Sequence, residues 1–80
     1  MTVSTQVVWN IPTPQETINA VDARADELIA DGKEIGTATI VQGPEPDQVT
    51  YTRTWIDEPT AVAWVAFVES YGPVSATVLN

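Results

Sequence analysis

Residues 13–32 have the sequence TPQETINAVDARADELIADG, and this stretch carries the clearest helix signal in the chain. Apolar residues recur in it at spacings of three and four, which is typical of a helix that buries one face. They are Ile18, Val21, Ala25, Leu28 and Ile29. Thr13 and Glu16 predict a capping box around Pro14, and Gly32 is a residue that commonly ends helices. The pattern therefore predicts an amphipathic helix over residues 14–31.

The segments around this helix carry the signals of β-strands. Alternation of apolar and polar residues, or a high content of β-branched residues, predicts four strands. They cover residues 2–11, 35–42, 49–56 and 74–79. Residues 43–47, Gly-Pro-Glu-Pro-Asp, predict a turn between the second and third strands because proline cannot donate to a strand ladder.

A second helix is predicted between the third and fourth strands. Asp57 and Glu58 suit its capping position, Pro59 suits its first turn, and Gly72-Pro73 is a stop signal just after Tyr71. A stripe of apolar residues is sufficient to cover a sheet: Ala61, Trp64, Val65, Val68 and Tyr71. Other apolar residues, Val62 and Ala66 among them, are left outside this stripe, which favours burial by a second subunit.

The composition excludes several classes of function. The 80 residues contain 11 Asp+Glu, 3 Lys+Arg, no His and no Cys. Without His or Cys the chain has no Ser-His triad, no zinc site of the usual kind and no disulfide. Asp57-Glu58, an adjacent acidic pair, is explained by helix capping. We therefore assign no catalytic, cofactor-binding or metal-binding residue and expect that the protein is not an enzyme.

The charge and hydropathy limit the classes of partner that the chain can bind and the cellular locations that we expect for it. A formal charge of −8 repels phosphate, so we expect neither nucleic acid nor an anionic membrane as a partner. No basic leader with an apolar core begins the chain, and no apolar run approaches the ~20 residues that span a bilayer. Mean hydropathy is −0.01, typical of a folded domain. We expect one domain, residues 1–80, in the cytoplasm or packaged in a virion.

The order β-α-β-β-α-β resembles the ferredoxin-like (split βαβ) fold over the whole chain. The resemblance implies an α+β domain with a four-stranded antiparallel sheet and two helices on one face, and proteins of this kind include dimeric α+β barrels. A weaker resemblance covers Arg53-Thr54-Trp55, residues 63–67 and residues 73–76. These segments are similar to small uncharacterised proteins of marine bacteriophages, which implies a phage-encoded protein and carries no known activity.

The sheet face without helices is the candidate functional surface. If Val7, Trp9 and Tyr51 face the helices, the opposite face is β-branched and uncharged, which favours burial against another molecule. The predicted interface residues are Gln6, Val8, Thr50, Thr52, Thr54, Val62 and Ala66. This arrangement turns Arg53 inward, where it needs a carboxylate partner or an edge to which its stem can reach. The opposite arrangement would expose Tyr51, Arg53 and other aromatic residues like the platform of an RNA-recognition motif, which the negative charge opposes.

Three functions remain open from the sequence. The first is a self-associating, non-enzymatic interaction protein that forms a homodimer through the open sheet face. The second is an acidic inhibitor or DNA mimic that binds another protein. The third is a small enzyme of the dimeric α+β barrel type, which would have a polar pocket near Trp9, Tyr51 and Trp55. In every case we expect Val65→Ala to destabilise the fold as a buried truncation.

Overall fold

The helices and strands occur in the order that the sequence predicts. The computed structural model describes residues 2–79, apart from the side chain of residue 37. The elements are β1 (Val3–Asn10), α1 (Gln15–Ala30), β2 (Glu34–Gln42), β3 (Gln48–Trp55), α2 (Glu58–Glu69) and β4 (Ser75–Leu79). The α+β class, with two helices and an antiparallel sheet, is confirmed. Within residues 2–79, neither helix has the length and hydropathy that crossing a membrane requires.

The four strands form one sheet in the order β2-β3-β1-β4, and every neighbouring pair is antiparallel. Gln6 of β1 lies opposite Thr52 on one side and Thr77 on the other, and Thr52 lies opposite Thr39 of β2. Because directly opposed residues point to the same face, these four side chains form one row across the sheet. The register therefore fixes which residues share each face.

The start of α1 differs from the predicted capping box. Pro14 occupies the capping position, no side chain caps the helix, and the helix begins at Gln15. Thr13 precedes the capping position by one residue, and its hydroxyl donates to the carbonyl oxygen of Asn10 at 2.8 Å. The Thr13–Glu16 capping box is therefore wrong, because a side-chain cap acts from the capping position itself.

The end of α1 is confirmed at Gly32. This glycine has φ +74°, a left-handed conformation that costs a residue with a Cβ atom. Its N–H donates to the carbonyl oxygen of Ile29, and the Lys33 N–H donates to that of Leu28 at 2.8 Å. This pair of bonds is a Schellman motif, which turns the chain toward β2.

The start of α2 is confirmed at Asp57. Its carboxylate accepts hydrogen bonds from the Thr60 N–H at 3.0 Å and from the Thr60 hydroxyl at 2.6 Å. These bonds hold the pKa of the Asp57 carboxyl below its ordinary value, with a smaller contribution from the charge of Lys33. Pro59 lies in the first turn, where its missing N–H leaves no helical hydrogen bond unmade.

The core lies between the helices and one face of the sheet, so both helices cover the same face. The buried members are Val3, Val7, Trp9, Val21, Ala25, Leu28, Trp55, Ala61, Trp64 and Val68. The Trp55 and Trp64 rings pack with their centroids 4.9 Å apart. The Trp55 indole N–H donates to the Thr5 hydroxyl at 2.9 Å, so a polar group of the core is satisfied. Of the two arrangements that the sequence left open, the structure has the one in which Val7, Trp9 and Tyr51 face the helices.

The apolar stripe of α2 differs from the prediction at two positions. Tyr71 lies two residues beyond the end of the helix and is 39% exposed, whereas Phe67 packs against the core with its ring 5.6 Å from that of Trp64. Val65 is half-buried, and the fully buried valine of this helix is Val68. The helix ends before a further turn could bring Tyr71 over the sheet, and Phe67 takes its place.

Candidate functional site

The open face of the sheet carries no charged residue in the described part of the chain. The register places on it Ser4, Gln6, Val8, Asn10, Ile35, Thr39, Val41, Gln48, Thr50, Thr52, Thr54, Ser75, Thr77 and Leu79. Large apolar side chains on this face remain accessible, with Ile35 44%, Val41 52% and Leu79 37% exposed. This uncharged composition is unusual in a chain of charge −8, so the open face is the candidate functional surface.

The centre of the open face contains two buried residues. Val8 and Thr50 are buried although no helix covers them, because neighbouring side chains of the sheet shield them. The hydroxyl oxygens of Ser4 and Thr54, which lie opposite each other, are 3.4 Å apart. Small, β-branched side chains held by their neighbours lose little rotamer entropy when a second surface covers them.

The seven predicted interface residues fall on two surfaces. Five of them, Gln6, Val8, Thr50, Thr52 and Thr54, lie together on the open face. The other two, Val62 and Ala66, are exposed on α2, in the helical layer on the other side of the sheet. A single flat contact between two copies therefore cannot include all seven. The high apolar content of α2 indicated that Val62 and Ala66 lie outside its core-facing stripe. It could not show whether these residues face solvent or a partner.

The helical layer contains much of the negative charge. Exposed carboxylates of α1 belong to Glu16, Asp22, Asp26 and Glu27. Arg24 forms an ion pair with Glu27 at 3.4 Å, and both side chains are largely exposed. Surface pairs of this kind contribute about 0–1 kcal/mol. The helix carries these four carboxylates and one cation, so the layer is acidic. The two sides of the molecule thus differ sharply: the sheet side is uncharged and the helical side is negative.

Arg53 points inward and pairs with Glu34, a partner that the sequence did not identify. Arg53 Nη1 lies 3.1 Å from Glu34 Oε2 and 3.3 Å from Oε1, and the side chains are 8% and 0% exposed. The Arg53 guanidinium also lies 5.1 Å from the centre of the Trp64 ring and 4.0 Å from the carboxylate of Asp22. Burial raises the pKa of the Glu34 carboxyl, while the charge and hydrogen bonds of Arg53 act in the opposite direction.

A small cavity adjoins this ion pair between the sheet and the helices. Trp9, Tyr51, Arg53 and Trp64 are among the residues that line it, together with the carboxylate residue Asp22. Its volume is about 50 Å³. Pockets for small organic ligands measure roughly 300–1,000 Å³, whereas one water molecule needs roughly 10–15 Å³. The cavity has room for a few water molecules. Within residues 2–79, no cluster of acidic side chains is arranged to hold a metal ion.

Comparison with known proteins informs the fold. No protein-family model matches the chain, and no curated protein matches it in sequence. The solved structure of Rv0793 from Mycobacterium tuberculosis matches it with a TM-score of 0.54 and 14% sequence identity, over 100% of this chain and 94% of that one. The comparisons give no support to the resemblance to bacteriophage proteins. At this identity the likeness concerns the fold alone, and it supports a small α+β fold.

Proposed function

We propose that this chain is a self-associating, non-enzymatic interaction protein, and that two copies pack their open sheet faces together. Each copy would be a ferredoxin-like domain, because the element order β-α-β-β-α-β and the sheet order β2-β3-β1-β4 are those of a split βαβ arrangement. The pair would form a dimeric α+β barrel. The observation that carries this proposal is the uncharged open face with its exposed apolar side chains.

The size of the open face is compatible with a stable dimer. The strands lie about 4.8 Å apart and rise about 3.3 Å per residue, so the 30 strand residues cover about 475 Å². Each copy therefore offers this area in projection, and the accessible area exceeds the projected area. Two faces together reach the roughly 1,000 Å² expected of a specific interface.

The distribution of charge favours pairing through the sheets over pairing through the helices. Packed sheets lie about 10 Å apart, and a helical layer adds about 10 Å on each side. The acidic α1 helices of two copies would then be separated by about 30 Å, several times the Debye length of about 8 Å at physiological salt. Contact through the helices would instead bring exposed Asp22, Asp26 and Glu27 of two copies together.

Light scattering after size exclusion tests this proposal directly. The expected mass over a dilution series is twice 8.6 kDa. In Thr52→Glu each copy would place a carboxylate in the centre of the interface, near the two-fold axis. Two unpaired buried charges at about 2 kcal/mol or more each weaken the dimer about a thousandfold.

The control for this experiment is Gln15→Glu, which adds the same charge on the exposed first turn of α1. It should keep the wild-type mass, whereas Thr52→Glu should elute as a folded monomer with an unchanged circular dichroism spectrum. A wild-type monomer at all concentrations refutes the proposal. A Thr52→Glu variant that keeps the dimer mass places the interface elsewhere.

The other two functions have weaker support. A small enzyme would use the cavity beside Trp9, Tyr51 and Arg53, but about 50 Å³ is far below the volume of a substrate pocket. Trp55, the third aromatic residue expected at such a pocket, is fully buried and donates to Thr5. An acidic inhibitor draws its support from the carboxylates of α1, and it becomes the leading candidate if the wild-type chain is a monomer.

A further inference from the structure

A groove runs between the outer sides of the two helices, away from the open sheet face. Its apolar wall includes Leu28 of α1 and Ala63, Trp64 and Phe67 of α2, and its volume is about 410 Å³. That volume falls within the range of roughly 300–1,000 Å³ found for sites that bind small organic molecules. The groove is thus large enough for a ligand, unlike the cavity beside Arg53.

The groove is also where the exposed positive charge of the chain collects. The whole sequence contains three Lys+Arg residues, and one of them, Arg53, is buried against Glu34. The other two, Arg24 and Lys33, both line the groove. Among the residues that the structure describes, no Asp or Glu lines the groove. On a molecule of charge −8, two cations beside an apolar wall form a local site that is complementary to an anion.

Both cations can contact a ligand without the loss of a strong bond. Arg24 is tied to Glu27 by an exposed pair at 3.4 Å, which is longer than a charge-assisted hydrogen bond. Lys33 contributes to the low pKa of Asp57 after the hydrogen bonds from Thr60, and those hydrogen bonds already satisfy that carboxylate. An incoming anion would therefore compete with weak surface interactions.

Trp64, one of the residues that line the groove, carries a buried donor without a partner in the described part of the chain. Trp64 is 2% exposed, and its indole N–H has no hydrogen-bond partner among the described residues. A buried donor without a partner costs about 1–3 kcal/mol, and such groups in folded proteins need an explanation. Trp64 lines both the groove and the small cavity beside Arg53, so its ring lies next to each of them. The Trp55 indole N–H, by contrast, is already bonded to Thr5.

We propose that this groove binds a small apolar monocarboxylic acid. The carboxylate lies between Arg24 and Lys33, and the apolar body packs on Leu28, Ala63 and Phe67. Because the groove belongs to the helical layer, the site is equally accessible in a monomer and in a dimer formed through the sheet. The proposal is therefore independent of the oligomeric state.

The test compares 2-naphthoate with 2-naphthamide, a neutral molecule of nearly the same shape, by NMR titration of the full chain. The carboxylate is expected to bind about tenfold or more tightly than the amide, since hydrogen bonds to charged groups are about twice as strong as neutral ones. Of the three tryptophan indole N–H signals, assigned by Trp→Phe variants, that of Trp64 should move and that of Trp55 should stay in place.

Substitution of the cations locates the site. Arg24→Gln and Lys33→Gln should each weaken 2-naphthoate binding about tenfold and leave 2-naphthamide binding unchanged. Asn19→Asp makes the same change of net charge on an exposed part of α1 outside the groove, and it should retain the wild-type affinity. Equal affinities for acid and amide, equal affinities of the cation variants and Asn19→Asp, or no binding of 2-naphthoate would each overturn the proposal.

Discussion

Substitution of Glu34 and substitution of Arg53 should have different effects on stability. Of the two partners in this buried ion pair, only the Glu34 carboxylate can lose its charge by taking up a proton. In Glu34→Gln the guanidinium of Arg53, 8% exposed, stays charged at every accessible pH. The charge-assisted bonds at 3.1 and 3.3 Å are lost, and Asp22 at 4.0 Å is too exposed to replace them. We expect a loss of about 3 kcal/mol, the lower end of the range for a broken buried pair.

The opposite variant, Arg53→Met, leaves the Glu34 carboxyl unpaired but able to take a proton. Burial already raises its pKa above 4.5 against the effect of Arg53, so removal of Arg53 raises the pKa further. A carboxyl with a raised folded pKa favours the folded state below its unfolded pKa, and this contribution is lost as pH rises through the folded pKa. The stability deficit of Arg53→Met should therefore shrink as pH falls from 7 to 5, while that of Glu34→Gln should not.

Urea unfolding followed by tryptophan fluorescence, at fixed protein concentration and at pH 7 and 5, measures both deficits. For a domain of this size, 3 kcal/mol corresponds to a fall in Tm of about 12–24 °C. The double variant Glu34→Leu with Arg53→Met removes both charges and should recover most of the stability. A Glu34→Gln deficit below about 1 kcal/mol, or deficits with the same pH dependence in both single variants, would refute the reasoning.

Three further predictions concern the core and the second helix. Thr5→Val should lower the free energy of unfolding by about 1–3 kcal/mol, because it leaves the Trp55 indole N–H without an acceptor, and Thr5→Ser should restore it. Val68→Ala should destabilise the protein by about 2 kcal/mol in urea titrations, and Val65→Ala by clearly less, since only Val68 is fully buried. Asp57→Ala should lower the Tm at neutral pH. The difference should shrink as pH falls through the depressed pKa of this carboxyl, which calorimetry over a series of decreasing pH values measures.

Local periodicity was sufficient to predict most of the fold. The alternation in β1 and β3 and the stop at Gly32 are properties of short segments, and each is found at its predicted position. The predicted stripe of α1 is correct at Val21, Ala25 and Leu28, whereas Ile29 is 42% exposed. The same alternation placed Tyr51 on one face with Arg53, but it left open which face is turned inward. These features need no knowledge of distant residues, because helix and strand periods repeat within a few positions.

The partner of Arg53 could not be predicted in the same way. Glu34 precedes the strand predicted at residues 35–42, and its inward direction depends on its position opposite Trp55 in the sheet register. Between Ile35 and Thr39 the register shifts by two residues, so the position of Glu34 opposite Trp55 does not follow from the pairing of the rest of β2. A buried Arg53 does predict a carboxylate nearby, but 11 acidic residues offer too many candidates.

The position of Arg24 and Lys33 in the same groove also could not be predicted from the sequence. Arg24 and Lys33 are nine residues apart, on a helix and in the turn that follows it, and the apolar wall that they flank comes largely from α2. Only the packing of one helix beside the other brings these groups together. The count of three cations was available from the sequence, but their distribution over the surface was not.

The register shift in β2 also affects how the protein avoids aggregation. β2 is an edge strand, and unpaired backbone groups at a sheet edge can template the addition of strands from other chains. Between Ile35 and Thr39, β2 advances four residues while β3 advances two, and Gly36 in this segment has φ +71°. An incoming straight strand cannot match such an edge along its length, and β4 at the opposite edge has only five residues. The backbone thus opposes growth into fibrils by edge pairing.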